Sequence, residues 1–134
     1  MNVLLSIKPK YVEKMKEGKK KYEFRKNTFK KIDEVEKIYV YSTYPEKKII
    51  GYFTLDEIIE EDPEKLWEIC KNHSGIEKDD FFEYYRGKET GYALKIDNFN
   101  KFAEPIDPYE NLKDFVAPQS FQYIEHDYIE IGNN

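Results

Sequence analysis

The sequence predicts an α+β domain: a mixed, mostly antiparallel sheet of five or six strands carrying two or three short helices. Three observations predict it. Short runs rich in β-branched and aromatic residues recur at 37–43, 49–59 and 92–97, separated by polar and turn residues. The helical stretches between them are brief, and two of them open on a proline, Pro9 and Pro63. Aromatic residues make up 16% of the chain, with twelve Tyr and nine Phe, which suits the bulk of a sheet-rich core. A chain of 134 residues can bury such a core without disulfide or metal. One domain over 1–134 is expected, with its core at about 2–124 and an acidic tail at 125–134.

In order, Val3 to Ile7 reads as a first strand, with Leu4, Leu5 and Ile7 inside. A helix over 9–17 places Tyr11, Val12 and Met15 on one stripe and stops at Gly18. A strand follows from Lys20 to Lys26, then a polar loop through 27–36. The next strand, 37–43, puts Ile38, Val40 and Ser42 on one face and Tyr39, Tyr41 and Thr43 on the other. Residues 45–48 connect to a long strand over 49–59, inside which Gly51 marks a bulge or a close backbone approach. Asp62 caps a helix over 63–72 whose apolar side is Leu66, Trp67, Ile69 and Cys70. After Ser74-Gly75 a second helix, 78–86, carries Phe81, Phe82, Tyr84 and Tyr85 as packing residues. Strands at 92–97 and 99–106 follow, and the tail alternates through Tyr128, Ile129 and Ile131 as an edge strand or a free end.

Net charge is −5, against indiscriminate nucleic-acid binding, but the charge is unevenly spread. From Lys8 to Lys31 ten lysines and one arginine face three glutamates, so one basic face is expected on an acidic body. The lone Cys70 allows no internal disulfide, and one cysteine with the distant His73 and His126 gives no metal spacing. No phosphate loop, dinucleotide fingerprint or nucleophile elbow is present, so neither cofactor nor metal is expected. The opening residues run to Lys8 without a signal-peptide pattern, and no apolar stretch reaches membrane length. The expectation is a cytoplasmic monomer or weak homodimer with no membrane partner.

The stretch with the most chemistry is Gly18 to Lys26. Strand alternation puts Glu23 and Arg25 side by side on one face, with Lys20 at the strand entrance beside the helix end. A guanidinium fork, an ammonium and a carboxylate together can hold an anion or a polar ring edge. The alternative is a solvated, charged edge strand.

The pattern Gly18, Lys20, Glu23, Arg25, following a helix opened by residues 6–15, resembles the ASCH domain (activating signal cointegrator homology), a PUA-like β-barrel family. The likeness continues through Tyr39–Pro45, Ile49–Thr54 and Pro118–Phe121, and so covers roughly residues 2–124. The resemblance implies a PUA-like barrel. It also implies one cleft walled by Lys20, Glu23 and Arg25, by Ser42 and Thr43, and by a flap of Gln119, Ser120 and Phe121. Such a set suits a nucleobase, with Gln and Ser reading its edge, an aromatic ring stacking, and Lys and Arg on the phosphate.

Two function classes follow from the resemblance. The first is a module binding RNA or a modified nucleotide, with no catalytic residue. The second is a small amidohydrolase acting on an N4-acylated cytidine through a lysine, a threonine and a glutamate. Lys20 matches that lysine, but Glu23 stands where the threonine belongs, and Glu77 is the nearest third acid. An enzyme would therefore depend on Lys20 and on Glu23 acting as a base on water, a different mechanism. The binding module is the preferred expectation.

Overall fold

The computed structural model describes residues 1–125, 127 and 128. The chain runs β1 (Asn2–Ile7), α1 (Pro9–Lys16), β2 (Tyr22–Arg25), β3 (Ile38–Ser42), β4 (Lys48–Glu61), α2 (Pro63–Cys70), α3 (Lys78–Tyr84), β5 (Gly91–Ile106), α4 (Pro108–Asn111) and β6 (Phe121–Ile124). Short 3-10 turns lie at Ile32–Glu34 and Lys71–His73. The six strands form one sheet in the order β2-β5-β4-β3-β1-β6. Only β1 with β3 is parallel; every other pairing is antiparallel. The α+β, mixed and mostly antiparallel expectation is what the chain adopts.

The spine is the antiparallel β4–β5 pair, paired from Ile49 opposite Ile106 to Glu61 opposite Gly91, with α2 and α3 inserted between the two strands. The expected break near Asn98 does not interrupt it: β5 is one strand of 16 residues, and Pro105 sits near its end. The Gly51 expectation holds in both of its senses. The register shifts beside it, and a Cβ there would lie 2.2 Å from the Asn100 carbonyl oxygen. Two neighbouring backbones therefore approach more closely than any side chain permits.

β1 and β3 are buried on both faces, which explains their unbroken apolar and aromatic runs. On one side Val3, Leu5, Ile38 and Val40 pack with Val12 and Met15 of α1. On the other, Leu4, Tyr39, Tyr41 and Ile106 enclose Tyr128, whose ring meets Tyr39 edge-on at 5.0 Å. Asp127 beside it pairs with Lys37 at 2.7 Å. His126, Ile129 and Ile131, and with them the tail alternation, lie outside the described residues. A third cluster, Phe24, Leu66, Cys70, Phe81 and Tyr85, seats α2 and α3 on the outer end of the sheet. Each fully buried side chain of this size contributes roughly 1.5–3 kcal/mol. The helix starts follow the sequence: the Asp62 carboxylate accepts from the Lys65 amide at 3.0 Å, and Pro63 fills the first turn. Ile69 departs from expectation, being exposed on the outer side of α2. No helix among the described residues is long and apolar enough to cross a membrane.

The sheet curls until its two edges meet through side chains rather than through a strand ladder. Phe29, just after β2, packs edge-on against Phe121 of β6 at 4.8 Å. The Lys31 amide donates to the Tyr123 hydroxyl at 3.2 Å. Nearer the α1 end the same seam stays open, and the cleft described next occupies that opening.

Candidate functional site

At the open end of the seam lies a cleft of about 650 Å³. Its floor is the Lys20, Glu23, Arg25 cluster, and the solvated edge strand is thereby ruled out. Lys20 is 3% exposed and Glu23 7%; the Arg25 side chain is 11% exposed. Lys20 stands outside β2, so it escapes the strand's alternation and turns to the same side as Glu23, 3.9 Å from its Oε1.

Arg25 is held at three points. Its Nη2 donates to Glu23 Oε2 at 2.8 Å and to the Ser6 carbonyl at 3.1 Å, and its Nη1 donates to Ser120 Oγ at 3.1 Å. Nε is buried with no hydrogen-bond partner. A buried guanidinium donor without an acceptor is costly, and a ligand oxygen is one way to satisfy it.

Lys20 is fixed as firmly. Its Nζ donates to the Ser74 carbonyl at 2.8 Å and lies 4.7 Å from the Phe24 ring centre and 5.2 Å from that of Tyr11. Burial pulls its pKa down to about 8, opposed in part by the Glu23 charge. Gly75 makes this seating possible: a Cβ there would fall 2.5 Å from Lys20 Cβ and 2.7 Å from its Cγ. The Ser74–Gly75 pair, read from the sequence as a helix break, is the backbone against which Lys20 lies.

Of the remaining sequence-predicted site residues, Thr43, Gln119 and Ser120 line the cleft. Ser42 does not. It shares the inward face of β3 with Ile38 and Val40 and is fully buried, whereas Thr43, past the strand end, is free to turn outward. Phe121 does not line it either. Its pairing with Leu5 places the ring on the core side, against Phe29 and Tyr123. Gly51 lies away from the cleft, and its missing side chain serves the strand contact alone. Glu77 stands exposed at the N-terminal boundary of α3, its side chain making no capping hydrogen bond, and is not part of the lining.

The sequence missed the wall supplied by α3. Asp80, Glu83 and Tyr84 line the cleft, although the aromatic run had been assigned to packing. Phe81 and Tyr85 do pack, buried at 0% and 2%, and Tyr84, on the same helix face, packs partly against that cluster while also lining the cleft. Tyr11 packs against the core with the stripe of α1, as expected, and also lines the cleft. Lys8, Lys10 and Lys26 are exposed around the opening, where Asp80 and Glu83 are exposed too. Cys70 lies behind Lys20, and burial pushes its thiol up to about 12, so it is inert at neutral pH.

Known proteins match both the sequence and the fold. The family described as a domain of unknown function, DUF365, matches residues 1–125. Over 127 residues the chain is 26% identical to an ASCH domain-containing ribonuclease of Zymomonas mobilis, covering 90% of this chain and 82% of that protein. It is 30% identical over 126 residues to the large ribosomal subunit protein uL22 of Ureaplasma parvum, covering 92% of this chain. The match takes in 39% of that ribosomal protein, so the chain spans about two-fifths of its length. The crystal structure of ASCH from Zymomonas mobilis superposes with a TM-score of 0.84 at 23% identity, over 96% of this chain and 91% of that one. A serine-to-alanine mutant of the same protein gives 0.85 at 22% identity, over 97% and 92%. The chain belongs to the DUF365 family, and its fold is that of the ASCH domain.

Proposed function

We propose that this protein is a binding module for single-stranded RNA or a nucleotide, and that the seam cleft is its site. The observation that carries the reading is the buried trio at the cleft floor. Lys20, Glu23 and Arg25 are desolvated at a cost that packing alone does not require, and Arg25 Nε still lacks an acceptor. Arg25 and Lys20 supply donors to a base edge or phosphate, Glu23 supplies an acceptor, and Thr43, Gln119 and Ser120 add neutral polar contacts from the opposite side. The exposed Lys8, Lys10 and Lys26, three cations against Asp80 and Glu83, favour an anionic ligand on their side of the cleft. Two relatives carry names tied to RNA, one a ribonuclease and one a ribosomal protein, which supports the same class. Action in the cytoplasm, as a monomer or weak homodimer, belongs to this proposal.

The test measures binding and turnover together. A labelled single-stranded RNA and an N4-acylated cytidine are each incubated with wild type, Lys20→Ala and Arg25→Ala. RNA binding without turnover, weakened by both changes, supports the module. RNA cleavage or deacylation lost in both variants replaces it with an enzyme. Wild type and variants alike in every assay remove the cleft from consideration.

A further inference from the structure

The sequence assigned base stacking to Phe121, but that ring is enclosed by Phe29 and Tyr123. The cleft offers other rings. Phe24 lies between Lys20 and Phe81, and Tyr11 carries Lys10 at 5.0 Å and the buried Lys20 at 5.2 Å. Tyr84 differs from both. Its neighbour Tyr85 meets it edge-on, with centroids 4.9 Å apart at 71°, and the group recorded over its ring is the Lys26 ammonium at 4.6 Å. Lys26 is exposed and forms no ion pair among the described residues, so it can leave that position.

Tyr84 is also well held. Phe81, one turn earlier, is fully buried. The Tyr85 hydroxyl lies 3.0 Å from the Arg25 carbonyl and 3.2 Å from the Tyr92 carbonyl. This ties α3 to the strand that carries the cluster. Tyr84, Glu23 and Arg25 line the same cleft, which places the ring beside that floor. A rigid ring with one face under a movable cation is a low-entropy-cost stacking platform.

We infer that Tyr84 is the base-stacking residue of the cleft and that Lys26 takes the phosphate of the same nucleotide, displaced from the ring face by the incoming base. This rests on the nucleotide-binding reading above and specifies how the ligand lies. Asp80, one turn before Tyr84 on the same cleft wall, repels a phosphate from that side, which leaves the Lys26 side for it. The ligand is therefore a nucleotide unit with its phosphate, such as one residue of a single strand, rather than a bare base.

The test uses fluorescence anisotropy with a labelled mixed-sequence RNA octamer, at salt concentrations from about 50 to about 200 mM, the range in which phosphate contacts register. Tyr84→Leu is expected to weaken binding roughly tenfold or more, and Tyr84→Phe to restore it to within about twofold. Lys26→Ala is expected to lower the slope of log affinity against log salt by about one. If Arg25→Ala abolishes binding while Tyr84→Leu binds like wild type, or Lys26→Ala keeps the full slope, the stacking assignment falls and the cleft stands. If wild type binds no RNA and no nucleoside monophosphate, both fall. Should Tyr84→Leu melt before wild type at assay temperature, the Lys26→Ala slope decides by itself, since that exposed side chain carries no core packing.

Discussion

Arg25 on β2, one edge of the sheet, donates to the carbonyl of Ser6 on β1, one strand in from the opposite edge, at 3.1 Å. The same guanidinium reaches Ser120 just before β6, whose own carbonyl accepts from the Ser6 amide at 3.0 Å. Arg25 thus ties the two edges together beneath the open end of the seam, at the cleft, while Phe29–Phe121 and Lys31–Tyr123 join them farther along. The ligand site and the clasp of the half-barrel are one structure.

Removing the clasp is expected to cost stability as well as binding. Arg25→Ala leaves Glu23 buried without its guanidinium partner, a change worth roughly 3 kcal/mol. Arg25→Lys keeps the charge but loses the fork, so its urea midpoint should fall between those of Arg25→Ala and wild type. An unfolding midpoint for Arg25→Ala equal to that of wild type would show that the guanidinium closes nothing.

Gly75 should resist substitution for two separable reasons. Its φ is +66°, where Ala is strained, and an added Cβ would meet the Lys20 stem at 2.5–3.0 Å. Gly75→Ala is expected to destabilise by about 2 kcal/mol. Paired with Lys20→Ala the Cγ and Cδ contacts vanish, while the 2.5 Å contact with Cβ and the backbone strain remain, so a double-mutant cycle should give a favourable coupling of up to about 1 kcal/mol. Strict additivity would mean that Gly75 does not position Lys20.

The pH dependence of Lys20 has a definite sign. Its pKa is about 8 in the folded chain against an ordinary 10.5. Between these values the unfolded chain binds the extra proton, so the Lys20 contribution to stability rises as pH increases through that window. Below about 8 the buried ammonium carries its full penalty, on the order of 3 kcal/mol for a shift of this size. Lys20→Met, which keeps the aliphatic stem, is expected to equal or exceed wild type in stability at pH 7, and the gap should narrow towards pH 10. Urea unfolding of both proteins at the two pH values measures it; a gap independent of pH would place the lysine's cost elsewhere.

Gly51→Ala tests the close contact of β4 with β5. The Cβ would sit 2.2 Å from a backbone oxygen that cannot rotate away. A loss of about 3 kcal/mol is expected, at the upper end for overpacking. The cleft lies elsewhere, so RNA affinity of the folded fraction should not change. A loss of affinity without a loss of stability would return Gly51 to the ligand site.

Local physics made much of this protein legible from its residues. Asp62-Pro63 opens a helix because a carboxylate and a fixed φ satisfy the first turn wherever they stand. Ile38 and Tyr39 part to opposite faces because strand geometry alternates, whatever the strand packs against. The Gly18-to-Arg25 pattern named the cluster because its three charges lie within a few residues of one another. What needed the tertiary structure was which surfaces the curling sheet brings together. Phe121 and Ser42 face the core because of their pairing partners, Leu5 and Ile7, far away in the chain. Tyr84 faces the cleft because Tyr85 is anchored to the Arg25 carbonyl, a bond spanning 60 positions. Lys20 is buried because Gly75, at the end of another helix, leaves room for its stem. Alternation and capping act over one to four residues, so a sequence displays them directly. Seam closure depends on contacts between distant segments, and only the folded chain decides those.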